Sequence, residues 1–288
     1  MGQPLPLHER LTLGLLTGIL LVSLGSWLLG HATAHPAMII GCATGVYAGF
    51  CWLKHRMLSD RNGQLVLSAF MTIGILFFLY VVLGRISFEV MPYIADPLLA
   101  WLDVRIGLGT VPALWAERFV TDASTRLFSV VYALFIPYLY LSIFLGLLGR
   151  PASERDAFVT GFTVLYALSF LGYLLLPARG PIVFYQHQFA APLPTNVFHA
   201  MIVHAVDQCG GPHGAFPSLH VGASAYACLF DLQFNRVRGM LYLPLVLLIA
   251  MATILLRYHY VVDLWAGAAL AALAFAVARS RITETIDA

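Results

Sequence analysis

The chain has 288 residues, of which 60% are hydrophobic and only 10% charged, with a mean hydropathy of +0.84. One water-soluble domain of that length cannot hide so much apolar surface, so the composition reads as a polytopic membrane protein. The formal net charge is +2 without a basic run, which excludes a nucleic-acid binder.

Runs of about 17 to 25 apolar residues mark membrane-crossing helices, and scanning for them predicts an all-α bundle of about eight, at residues 11–29, 38–53, 65–83, 127–148, 158–176, 218–232, 240–256 and 261–278. None of these runs alternates strictly, which argues against a lipid-facing barrel. The first follows Arg10 and ends before Ala32-Thr33-Ala34, a small-residue sequence like a signal cleavage site. It exceeds the apolar core of about 7 to 15 residues that signals carry, so it is expected to stay as a helix. Residues 1–84 hold the first three helices, 85–126 form an interfacial segment, and 127–288 hold the later helices of one continuous membrane domain. Within the interfacial segment Leu98, Leu99, Leu102 and Ile106 recur at helical spacing, which suits either a packed loop helix or a lid over a lipid access route. The sixth run, 218–232, is the shortest. Before it lies a second elaboration, 184–214, with a short helix expected at about 196–206 and four histidines, His187, His199, His204 and His213. Their spacing puts no ligand pair on one helical face and no carboxylate cluster accompanies them, so no metal is expected. Cys42, Cys51 and Cys228 fall in spans and Cys209 stands alone in a loop, which gives no disulfide framework.

Short cytoplasmic loops collect Lys and Arg. With the N-terminus inside, Arg10, Lys54, Arg56, Arg61, Arg150, Arg155, Arg236, Arg238, Arg279 and Arg281 all fall on the cytoplasmic side. Arg85, Arg105, Arg118 and Arg126 then lie in or beside the long outer segment, and only Arg179 and Arg257 occupy shorter outer connections. Both termini are thus expected in the cytoplasm, with the site on the periplasmic or extracellular side.

Ionisable residues gathered at one membrane depth usually carry function. His259 and Asp263 are four residues apart and share a helix face, so the carboxylate can fix one ring nitrogen and leave the other as nucleophile or ligand. The plainer alternative is an interfacial belt of Tyr258, His259 and Tyr260 with Asp263 as a helix cap. Pro217-Ser218 reads as a helix start with Ser218 as N-cap, directing the amides of Leu219, His220 and Val221 outward toward an anion; His220 alone could be part of that cap. If the two helix starts meet, two histidines, Arg179 and Arg257 surround one tetrahedral anion, which suits phosphate better than carboxylate.

Phe216-Pro217-Ser218-Leu219-His220 and Tyr258-His259-Tyr260-Val261-Val262-Asp263 resemble the second and third signatures of the type 2 phosphatidic acid phosphatase and vanadium haloperoxidase superfamily. Pro-Ser-Leu-His together with Tyr-His-Tyr is most similar to the inositol phosphorylceramide synthase branch, the inositolphosphotransferases. The likeness runs from about Phe158 to the C-terminus and more weakly over residues 97–108. It implies a double displacement in which His259 attacks phosphorus, Asp263 orients and charge-balances its ring, and His220 protonates the departing oxygen. Arg179 matches the arginine of the first signature, and Arg257 and Ser218 join it as phosphate-binding residues. The chain departs from the family where Gly172 stands in place of a lysine and Thr253 in place of an arginine, with Arg257 close by to compensate. Arginines and helix dipoles take the charge-stabilising role that metal ions fill elsewhere, so neither metal nor cofactor is implied. The expectation is a metal-independent membrane lipid phosphatase or phosphotransferase acting on a lipid phosphate or phosphate-linked head group. Head-group transfer to a lipid alcohol acceptor is the alternative, and a non-catalytic lipid-binding or transport protein is the alternative of another class. Oligomeric state is left open.

Overall fold

The computed structural model describes residues 5–58, 60–148 and 150–286, and among them there are helices and no strands. Three long helices open the chain, α1 (Leu7–Leu28), α2 (His35–Met57) and α3 (Arg61–Val90). A first elaboration holds α4 (Asp96–Ile106) and α5 (Pro112–Ala116), ending in a 3-10 turn at Glu117–Phe119. Next come α6 (Asp122–Ala133), α7 (Phe135–Leu147) and α8 (Ala152–Leu175). A second elaboration carries α9 (Pro181–Phe184) and α10 (Val197–Gln208), and α11 (Leu219–Phe234), α12 (Arg236–Leu255) and α13 (Val261–Ile286) complete the fold. Among the described residues seven stretches are long and apolar enough to cross a membrane: α1, α2, α3, the α6–α7 run, α8, α12 and α13. The protein is therefore a polytopic helical bundle.

Local chemistry sets several helix starts. Asp60 accepts from the Asn62 and Gly63 amides to begin α3, Thr121 and Ser124 form a reciprocal capping box at α6, and Asn196 accepts from His199 N at α10. The α6–α7 run reads as one apolar stretch, yet it breaks at Leu134. Pro137 explains this, since it has no N–H for the Ala133 carbonyl and its ring crowds that oxygen.

The expected sixth crossing is α11, only 16 residues long. At about 1.5 Å per residue it falls short of a hydrocarbon core about 30 Å thick. It is instead the central post of the bundle, packed against α7, α8, α12 and α13. Small residues let the backbones close in. A Cβ on Gly267 of α13 would come within 2.4 Å of the Ser218 carbonyl oxygen, and one on Gly161 of α8 within 2.7 Å of the Ala274 carbonyl oxygen. Around these crossings Phe158, Phe162, Tyr166 and Phe170 run up α8 with Tyr226 and Phe230 against them. The Tyr226 hydroxyl donates to the Phe158 carbonyl at 2.7 Å, so the aromatic core contains a satisfied polar tie.

At the end of the bundle away from the histidine blocks, α1, α2 and α3 meet α8 through a buried polar network. Glu9 accepts from Lys54 and from Ser68, and His8 reaches Ser68 Oγ at 2.7 Å and Asp156 Oδ1 at 3.3 Å. Lys54 is thus not a loop cation but a buried partner in the last turn of α2. At that same end Asp231 accepts from Arg150 at 2.9 Å and from Arg238 through both guanidinium edges.

Candidate active site

The opposite end of the bundle gathers the predicted site. Past α8 the chain turns through Pro177, Ala178, Arg179 and Gly180, and glycine is required there because φ is +87° and a Cβ would sit 2.3 Å from the Tyr258 carbonyl oxygen. The Arg179 and Gly180 amides donate to the two carboxylate oxygens of Asp96 at 2.9 and 2.8 Å, and the Tyr260 hydroxyl donates to Asp96 at 3.0 Å. One carboxylate on α4 therefore ties the arginine loop to the Tyr-His-Tyr loop. A second α4 carboxylate, Asp103, accepts from Val262 N at 2.9 Å, and burial pushes its pKa up while backbone donors from Val262 and Val261 oppose that rise. Asp96 and Asp103 lie seven residues apart on one face with buried Leu99, so α4 clamps the site while Leu98 and Trp101 face away.

Ser218 caps α11 as the sequence predicts: its Oγ accepts from Val221 N at 3.4 Å, and its own amide donates to the Asp263 carbonyl at 3.0 Å. The two helix starts of α11 and α13 are thus joined directly. The side chain of Ser218 is committed to this cap and does not line the cavity described below.

His259 Nδ1 lies 2.8 Å from the Ala215 carbonyl oxygen and 3.4 Å from Asp263 Oδ2. A carbonyl can only accept, so Nδ1 carries a hydrogen and Nε2 is turned the other way. There Nε2 stands 3.2 Å from His220 Nδ1, within hydrogen-bond reach of it. Asp263 Oδ2 also accepts from Tyr260 N at 2.8 Å, so this carboxylate both caps the α13 start and faces the histidine. The cap and catalytic readings of Asp263 are thus compatible. The His220 ring is held between Tyr132 and Phe135, each with its centroid 4.6 Å away.

His220, His259 and Arg179 share a cavity of about 400 Å³. Residues of α6, α7 and α10 also line it, among them the exposed apolar side chains of Ile136 and Met201. Arg257 does not line it. The Arg257 guanidinium donates to Glu117 and to the Ala191 carbonyl, both at 3.0 Å, and stacks 3.7 Å from the Phe189 ring centroid. Burial pulls its pKa down against the opposing pull of Glu117, and its backbone sits at φ +66°. The expected compensation for Thr253 is therefore not seen in the geometry; Arg257 pins the second elaboration behind the Tyr-His-Tyr loop.

Both departures from the family pattern have structural causes. A Cβ on Gly172 would lie 2.5 Å from Pro217 Cδ, so a side chain as long as lysine has no room there. Thr253 is fully buried, and its carbonyl accepts from the amides of Tyr258 and His259 at 3.0 and 3.2 Å. Among the histidines of the second elaboration, His213 lines the cavity and donates through Nδ1 to the Gly211 carbonyl at 2.7 Å. Among the described residues no three His, Cys, Asp or Glu side chains converge as metal ligands would.

Residues 98–277, well over half the chain, match the model of the PAP2 superfamily. The chain belongs to the PAP2 superfamily. The matched segment holds Arg179, Ser218, His220, His259 and Asp263 and begins just after Asp96, leaving α1–α3 outside. No curated protein and no solved structure matches the chain. PAP2 superfamily members are generally phosphatases or phosphotransferases, and that membership, with the membrane-type helices, supports a membrane enzyme of phosphatase type.

Proposed function

We propose that this PAP2 superfamily protein is a metal-independent membrane enzyme that takes a phosphoryl group, or a phosphate-linked head group, from a lipid through a phosphohistidine at His259. The observation that carries the reading is the orientation of that ring: Nδ1 is occupied by the Ala215 carbonyl, while Nε2 faces His220 across 3.2 Å in a cavity shared with Arg179. Nε2 forms the bond to phosphorus as the bond from phosphorus to the lipid oxygen breaks, and the His220 proton goes to that departing oxygen. An acceptor hydroxyl then gives its proton to His220 and attacks, breaking the bond between phosphorus and His259. Phosphorus needs about 3 to 3.5 Å of approach to Nε2, so substrate must part the two histidines.

Water as acceptor makes a phosphatase, and a lipid alcohol makes a transferase. The second reading is favoured by the Pro-Ser-Leu-His and Tyr-His-Tyr likeness to inositol phosphorylceramide synthases and by the apolar side chains of Ile136 and Met201 in the cavity lining. In either case the lipid keeps its tails in the outer leaflet, with the termini in the cytoplasm. The test is to incubate purified protein with labelled phosphatidic acid, with and without lipid alcohols. An acid-labile, base-stable label should form on the protein and vanish in His259→Ala; a label that persists in that variant would remove His259 as the nucleophile.

A further inference from the structure

The phosphate site reads as short of charge. Arg179 is the only arginine or lysine that lines the cavity among the described residues, since Arg257 is spent on Glu117 and the family's other cationic positions are Gly172 and Thr253. A phosphoryl group in transit spreads its charge over three equatorial oxygens. One guanidinium fork cannot serve all of them.

Tyrosine hydroxyls supply the difference. Elsewhere in the core Tyr47 pairs with Thr72, Tyr138 donates to the Ser224 carbonyl, Tyr226 to the Phe158 carbonyl and Tyr260 to Asp96. Tyr132 and Tyr258 are buried residues that line the cavity, as does half-buried Tyr80, and none of the three hydroxyls has a protein partner among the described residues. A buried hydroxyl normally finds a partner, so open donors in a cavity call for a ligand acceptor. Their placement is specific. The Tyr132 ring is 4.6 Å from the His220 ring and 5.2 Å from Tyr258, which immediately precedes His259 in the chain.

We propose that the hydroxyls of Tyr132 and Tyr258 donate to the phosphoryl oxygens, replacing the cationic side chains that this site lacks. This rests on the phosphohistidine reading above. Burial pushes the Tyr258 hydroxyl up to about 12, so it keeps its proton and donates at any working pH. Neutral donors also carry no ionic desolvation penalty at membrane depth, where a second cation would be expensive. Fixed in a site screened from bulk water, they act on developing charge without reorganising.

Tyr132→Phe and Tyr258→Phe remove only the oxygens and keep the ring stacking. Orthovanadate, a phosphate-like probe, should raise the unfolding temperature of the wild-type protein. Each single variant should need at least ten times more vanadate for the same shift, and its rate of label transfer from phosphatidic acid should fall about 10- to 100-fold, near the lower end of what loss of an oxyanion donor costs. Lipid-facing Tyr140→Phe serves as the control and should behave as wild type. Vanadate response within twofold of wild type in both cavity variants would overturn the inference. If vanadate stabilises the wild type and the variants lose that effect but no histidine label ever forms, the anion-donor role stands and the phosphohistidine reading falls.

Discussion

With the Ala215 carbonyl at 2.8 Å and the Asp263 carboxylate at 3.4 Å from His259 Nδ1, ring orientation and charge balance come from different groups. Asp263→Asn should keep the ring in place and still accept from Tyr260 N, losing about 100- to 10,000-fold in label transfer, in line with the usual worth of a single acid–base partner. Asp263→Ala also strands the Tyr260 amide, adding about 1 to 3 kcal/mol of destabilisation; single-turnover labelling and thermal unfolding separate the two. Restoring the family lysine with Gly172→Lys should fail for a packing reason, since even its Cβ would lie 2.5 Å from Pro217 Cδ. The expected result is overpacking of about 1 to 3 kcal/mol or more and loss, not gain, of activity, read by melting temperature and turnover together. The histidines, Asp263 and Arg179 were legible in the sequence because their spacing and membrane depth are chemical signals. Ala215 was not, because a carbonyl acceptor can belong to any residue type. Asp96 was missed for another reason: its partners lie more than 80 residues away, and only its seven-residue spacing from Asp103 on one face of α4 hinted at a shared task. Arg257 was misread because proximity in sequence to His259 says nothing about the acid, Glu117, that claims its side chain.

At the scale of the helices, hydropathy located the crossings because each backbone must close its own hydrogen bonds in lipid. It could not show how they pair. Lys54 follows an apolar run and so looked like a loop cation, whereas folding brings Glu9, Ser68 and His8 around it from α1 and α3. Removing one member of such a pair leaves a buried charge, so Lys54→Met should destabilise the protein by about 3 to 5 kcal/mol, while Glu9→Gln with Lys54→Met should recover most of the loss. Thermal unfolding in detergent across the single and double variants tests this; an additive double variant would mean that the two charges do not interact. Pro137 is the corresponding signal that sequence did carry, since a proline in an apolar run foretells a break such as the one at Leu134.

For the molecule as a whole, acidity should act in part through the second elaboration. Burial holds His199 and His213 below the ordinary histidine range. Unfolded histidines bind protons below about pH 6.5, which the folded protein takes up only at lower pH, so stability is present above that value and is lost as pH falls through it toward the folded pKa values. A melting-temperature series from pH 8 to pH 5 should fall on the acid side, and His199→Gln with His213→Gln should make that fall shallower; an unchanged slope would assign the acid response to other groups. A different consequence follows from Asp96. The segment shared with the PAP2 superfamily starts at residue 98, yet the carboxylate that joins the Arg179 loop to Tyr260 lies just upstream of it. A graft cut at the family boundary would carry both histidines, Asp263 and Arg179 into a new host and leave their brace behind. The smallest transplantable unit of this site therefore begins with the first turn of α4, and a chimera that respects the resemblance alone would be assembled from the right parts without the joint that aligns them.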